Sequence, residues 1–260
     1  MTKISIITGA TSGIGYEIAK IIAQEDTDIL LIARNEENLQ KVQEELTQIS
    51  THTVSYFALD LSSNLNNLQQ QIQAKISDKQ LLYLINNAGF GDFGEFAHCD
   101  LKKQQKMINL NILALTVLTK LYLENAPKNK PSYLLNVASI ASYTAGPLMS
   151  VYYATKAYVL SFTRAIIFEN HHNPYLNISL LCPGPTDTLF VKTANLENSS
   201  LFERLKTMTA KDVAHIAMRE LKKGKKEIIP GLINKLLVYA NKFAPRVLSE
   251  KITYKIMQKK

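Results

Sequence analysis

Tyr152 and Lys156, in the run VYYATKAYVLSF, stand four residues apart, and Ser139 lies thirteen residues upstream of the tyrosine in NVASIAS. Residues i and i+4 share one face of a helix, so a lysine ammonium at this spacing can approach the tyrosine oxygen. A tyrosine hydroxyl titrates near ~10 in water, and acid or base work at neutral pH requires something to stabilise its phenolate. The Lys156 charge is expected to do this by lowering the Tyr152 pKa; bringing it to about 7 takes roughly 4 kcal/mol. The triplet points to proton transfer.

Such side chains need a scaffold, and the chain begins with one. Lys3 to Thr8 is a short apolar run that enters a loop holding Gly9, Gly13 and Gly15, followed by an amphipathic stretch from Tyr16 to Gln24. Strand, glycine turn and helix in that order let the backbone approach a pyrophosphate, with unpaired helix N–H groups and the helix dipole favouring the anion. Further apolar runs alternate with helical patterns and predict parallel strands near residues 3–8, 29–33, 53–59, 81–86, 132–138, 176–182 and 226–230. The fold class is therefore α/β, a Rossmann-type doubly wound parallel sheet of about seven strands flanked by helices. Ligands of such sheets bind outside the carboxyl ends of the strands. Gly9, Arg34, Asp60, Asn87, Ser139 and Pro183 each follow a predicted strand.

Taken in order, these motifs resemble those of the short-chain dehydrogenases/reductases over nearly all 260 residues. The glycine motif TGxxxGxG is TGATSGIG at Thr8 to Gly15, NNAG stands at Asn86 to Gly89, and a proline-glycine element reads Pro183-Gly184-Pro185-Thr186-Asp187-Thr188. Within the family, the PGPTDTLF run and the tail are similar to a bacterial group of NADP-dependent carbonyl reductases. The resemblance implies that Tyr152 donates a proton to a carbonyl oxygen, that Ser139 hydrogen-bonds the same oxygen, and that Lys156 also holds the nicotinamide ribose. It implies a fourth member, an asparagine whose main chain holds a proton-relaying water; Asn109 and Asn111 are candidates, and the family spacing with Ala114 selects Asn111. It places Gly9, Thr11, Ser12, Gly13, Ile14, Gly15, Asn87, Ala88, Gly89, Pro183, Gly184, Thr186 and Thr188 on the cofactor, with the two threonines at its carboxamide and diphosphate end. Asp60-Leu61 resembles the pair that borders the adenine, although Asp60 equally suits a helix cap near Ser62.

After the second strand comes Arg34 instead of an acidic residue. A carboxylate there would accept the ribose hydroxyls of NAD and repel the extra phosphate of NADP, whereas an arginine offers a charged donor fork. NADP (NADPH) is the expected cofactor, with Ser12 as a further phosphate donor. The leading expectation is hydride transfer from NADPH to an apolar ketone or aldehyde, or the reverse alcohol oxidation. The alternatives are a 3-oxoacyl carrier-protein reductase of fatty-acid synthesis and, from another class, a membrane-associated or regulatory NADP-binding protein. Leu189 to Thr207 is expected to form a substrate lid. Tyr143, Tyr153, Phe90 and Phe93 suit either the cleft or the core.

Composition is globular, without repeats or a low-complexity tract, and residues 1–260 are expected to form one domain. Cys99 and Cys182 lack the spacing of a zinc site or redox pair, which predicts reduced thiols in a cytoplasmic protein, with Cys182 a buried structural thiol. His98, His171, His172 and His215 have no partner at ligand spacing, so they are expected at the surface and no catalytic metal is expected. The apolar run in MTKISIITGA is too short for a signal peptide, and no stretch reaches the ~18 apolar residues of a membrane span. No nucleic-acid partner is expected. A homodimer or homotetramer is implied by the resemblance, through helices at roughly Leu101 to Ala126 and Val151 to Asn170.

Charge is unevenly placed. Lys211 to Lys260 holds 13 Lys and Arg against 4 Asp and Glu, a balance of +9, while the whole chain carries +8, so the first 210 residues sit near −1. Within a basic amphipathic segment at about 231–260, Leu232 to Phe243 and Val247 to Met257 interleave apolar and basic residues at helical spacing. That pattern fits helices capping the core beside the cleft with solvated lysines; it also fits interfacial membrane helices or the docking of an anionic acyl carrier.

Overall fold

The computed structural model describes residues 2–63, 65, 68–194, 196 and 207–258, without the side chains of Val191 and Lys192. Seven parallel strands form one sheet: β1 (Lys3–Thr8), β2 (Asp28–Ala33), β3 (Val54–Ala58), β4 (Gln80–Asn86), β5 (Ser132–Val137), β6 (Leu176–Leu181) and, last in chain order, β9 (Glu227–Ile228). Their spatial order is β3-β2-β1-β4-β5-β6-β9. The order reverses between β1 and β4, which opens a crevice at their carboxyl ends. A two-stranded pair outside the predicted set, β7 (Thr186–Asp187) with β8 (Met208–Thr209), closes the loop after β6.

Strands this apolar are covered on both faces. Neighbouring residues point opposite ways, so Ile7, Ile29, Leu31, Ile85 and Leu135 pack under α1 (Gly13–Ile22), α2 (Glu36–Thr47) and a later helix, while Ile6, Leu30, Ile32, Leu84 and Leu134 pack under the helices of the other face. Those are α3 (Leu68–Ile76), α4 (Leu101–Ile108), α5 (Leu115–Asn125) and α6 (Ser150–Glu169). α1 buries Gly15, Ile18, Ala19 and Ile22, the spacing of one helical stripe. The rest of the chain gives α7 (Phe190–Thr193), α8 (Ala210–Lys222), α9 (Leu232–Phe243) and α10 (Arg246–Met257). α8 is the later helix beside α1, and the Thr209 hydroxyl caps it by accepting from the Asp212 N–H at 3.0 Å.

Between α4 and α5 the helix widens to a π-helical stretch, Asn109–Ala114. Leu101–Asn125 is thus one continuous helix of 25 residues with mean hydropathy 1.3 in its most apolar window, long and apolar enough to cross a membrane by length and composition, contrary to the sequence expectation. Half of that window is buried in the fold, and the helix packs on β4, α3 and α6 as a core helix does. The expected lid falls mostly on residues 195 and 197–206, which lie outside the described residues.

Candidate active site

Two loops meet at the crevice between β1 and β4. Gly9 and Gly13 have φ of +65° and +58°, the left-handed region that favours glycine. Side chains would also collide here: a Cβ on Gly9 would lie 2.9 Å from Ala88 Cα, and one on Gly15 would overlap the Asn87 amide and the Gly9 carbonyl. Asn87 fastens the loops together. Its Nδ2 donates to the Thr8 carbonyl at 3.2 Å and the Gly9 carbonyl at 3.0 Å, while Thr8 Oγ1 accepts from the N–H groups of Asn87 and Ala88 at 3.1 and 3.0 Å. Ser12 starts α1 without a side-chain cap bond, so its hydroxyl and the unpaired N–H groups of the first turn stand beside Thr11, Gly13 and Ile14 on the cavity wall. This bare glycine cradle at a helix N-terminus, with Arg34 farther along the wall, fits the diphosphate and ribose end of a nicotinamide dinucleotide.

The cavity, of about 440 Å³, runs from that cradle to Ser139, Tyr152 and Lys156. Ser139 ends the extended stretch after β5 and opens a short 3₁₀ turn, Ile140–Tyr143; its Oγ accepts from the Ala141 N–H at 3.1 Å. That bond occupies a lone pair and leaves the hydroxyl proton free to donate. Tyr152 and Lys156 lie one turn apart on α6, both buried, and Ser139 hydrogen-bonds Tyr152. Lys156 Nζ donates to the Val137 carbonyl at 2.9 Å.

The electrostatics correct the sequence expectation. Burial pushes Tyr152 up to about 12, with the Ser139 hydrogen bond pulling weakly the other way. Lys156 stands 5.9 Å from the centre of the Tyr152 ring, and burial brings the lysine down to about 8, offset in part by Cys182. Burial is the largest cause at both groups, and Tyr152 is held as a protonated acid.

Most of the expected binding residues line this cavity: Gly9, Thr11, Ser12, Gly13, Ile14, Arg34, Leu61, Asn87, Ala88, Gly89, Pro183, Gly184, Thr186 and Thr188. Three expected residues do not. Gly15 is buried behind the cradle, where it lets α1 approach the Asn87 loop. Asp60 turns onto its own chain, accepting from the Ser62 N–H at 2.9 Å and hydroxyl at 2.6 Å. Burial pushes its carboxyl up, but the Ser62 bonds and the Arg34 charge outweigh this and leave it below its usual range. Asn111 sits in the π-helical stretch, where its Nδ2 donates to the Phe90 carbonyl and Thr155 Oγ1, both at 3.0 Å, and its Oδ1 accepts from the Phe90 N–H at 3.2 Å. It therefore staples α6 to the loop after β4. A Cβ on Gly89 would lie 3.0 Å from Asn111 Oδ1 and 3.4 Å from Lys156 Nζ, so Gly89 keeps that corner open.

Of the four aromatics, Phe90 and Tyr153 reach the cavity. Phe93 packs at the core edge, and Tyr143 is turned away to donate to Glu227 at 2.6 Å, next to the buried Cys182. Four more residues complete the apolar end around Tyr152: Met149, which the sequence did not reveal, Phe190 and Leu196 from the segment expected as a lid, and Met257 from the tail helix expected beside the cleft. The Phe190 ring lies 5.2 Å from that of Tyr152.

Residues 3–199 match the profile of the family described as short chain dehydrogenase. The chain belongs to that family. Among relatives, the ketoacyl reductase HetN of Nostoc sp. is 31% identical over 183 residues, 70% of this chain and 63% of that protein. The very-long-chain 3-oxoacyl-CoA reductase of Anas platyrhynchos is 31% identical over 169 residues, 64% of this chain and 54% of that protein. The chain thus spans less than two thirds of the length of these relatives. Among solved structures, a short-chain dehydrogenase from Sphingobium yanoikuyae in complex with NADPH shares the fold, with a TM-score of 0.78 at 24% identity over 88% of each chain.

Proposed function

We propose that this protein is an NADP-dependent oxidoreductase that interconverts an apolar ketone or aldehyde with its alcohol. The observation that carries the reading is the meeting of Ser139, Tyr152 and buried Lys156 at the apolar end of a cavity whose other end is a glycine cradle with an arginine. Gly9, Ser12 and the first turn of α1 would hold the diphosphate, Arg34 the extra phosphate, and Lys156 the nicotinamide ribose. Bound there, the dinucleotide supplies or accepts the hydride.

In reduction, the Ser139 hydroxyl donates to the substrate carbonyl oxygen and Tyr152 gives that oxygen its proton as negative charge develops. The Lys156 charge, held by the Val137 carbonyl, stabilises the phenolate left behind. Met149, Tyr153, Phe190 and Met257 offer the carbonyl's substituents an apolar wall and exclude water. That lining, with relatives named for ketoacyl and very-long-chain 3-oxoacyl-CoA reduction, supports a 3-oxoacyl thioester as a second reading.

The test is fluorescence titration of NADPH and NADH with wild type and Arg34→Ala. NADPH affinity is expected to fall roughly 10- to 100-fold in the variant, as for a lost charge-assisted contact, with NADH little changed. Equal weakening of both dinucleotides would remove Arg34 as the selector.

A further inference from the structure

α9 is amphipathic the wrong way round for a helix of a globular protein. Its apolar stripe should face the core. Among its twelve residues only Val238 is buried, while Leu232, Leu236, Tyr239 and Phe243, at i, i+4, i+7 and i+11, are 82%, 70%, 60% and 83% exposed. The spacing places those four on one outward stripe. Ile233 and Leu237 widen it, and Lys235 and Lys242 border it. α10 continues the surface: Val247, Leu248 and Ile252 are half or more exposed, and Lys251 and Lys255 are exposed beside them. The inner side of α10 buries Ser249, which is held by Asn241 of α9, and Met257, which lines the cavity. The apolar face is therefore presented by helices fixed to the body of the protein.

We infer that the outward face of α9 and α10 docks on an anionic lipid bilayer. Apolar side chains enter the acyl boundary while the flanking lysines and Arg246 meet the headgroups. Charge decides against a second copy as the occupant. Residues 231–260 hold seven Lys and Arg against the single acid Glu250, so a self-paired face would set like charges opposite one another. This surface does not depend on the reaction proposed above, and its test leaves catalysis aside.

The experiment is cosedimentation of the full chain with phosphatidylcholine vesicles, with and without phosphatidylglycerol, at low and high salt. The expected result is binding that requires the anionic lipid, weakens with salt, and is lost in Leu236→Glu/Phe243→Glu. In Lys242→Glu/Arg246→Glu the partition coefficient is expected to fall roughly 100-fold. Unchanged thermal unfolding and NADPH affinity in both variants show that the fold is intact, since all four positions are exposed and outside the cavity. Absence of binding to any vesicle, equal binding to neutral lipid, or variants that bind like wild type would each overturn the inference. So would capture by an acyl carrier protein, or a dimer broken by the same substitutions, without vesicle binding.

Discussion

Tyr152 must release a proton from a position that holds it tightly. Its pKa, raised to about 12 by burial, keeps it protonated throughout the neutral range. Carbonyl reduction, which needs the tyrosine's acid form and the Lys156 charge, is expected to be flat through neutral pH and to decline above about 8, where the buried lysine gives up its proton. Alcohol oxidation needs the phenolate and is expected to climb steadily as pH rises. Replacing Tyr152 with Phe should lower both by roughly 10²- to 10⁴-fold while leaving dinucleotide binding in place. Steady-state rates in both directions across pH decide this. An oxidation rate that saturates near neutrality would mean that a bound substrate and dinucleotide bring the tyrosine down by several units.

At the scale of elements, the cradle depends on contacts between loops as much as on the loops themselves. Gly15 is the point of closest approach, since a Cβ there meets both the Asn87 amide and the Gly9 carbonyl. Gly15→Ala is therefore expected to cost ~1–3 kcal/mol and to weaken dinucleotide binding along with thermal stability. A denaturation curve beside a binding titration checks this; full stability with full affinity would show that the loops part freely. The seven strands were legible because apolar runs of strand length stood between helical patterns, and their predicted bounds fall within about two residues of the observed ones. The glycine cradle and the triplet were legible for a similar reason, since each sits within one short run. What stayed hidden was set by distance along the chain. Met149 and Met257 meet at the cavity through packing that no local pattern records, whereas the Asp60 bonds to Ser62 follow the cap alternative that the sequence offered. The π-helical stretch at Asn109–Ala114 follows an ordinary helical sequence and is visible only in its hydrogen bonds.

At the scale of the whole molecule, α4, the π-helical stretch and α6 also expose apolar side chains, including Leu101 at 63%, Leu113 at 46% and Phe168 at 75%, on the segments through which the family resemblance implies pairing. A homodimer or homotetramer is accordingly expected by light scattering, and a monomer at micromolar concentration would refute it. The segregation of charge has a consequence of a different kind. Residues 231–260 carry +6 of the chain's +8, seven Lys and Arg less Glu250, so the net charge is weighted toward the segment of α9 and α10. A field acts on such a body as a torque before it acts as a grip. Within roughly a Debye length of any polyanion, ~8 Å at physiological salt, the molecule turns its last two helices forward, so its orientation is chosen before contact is made.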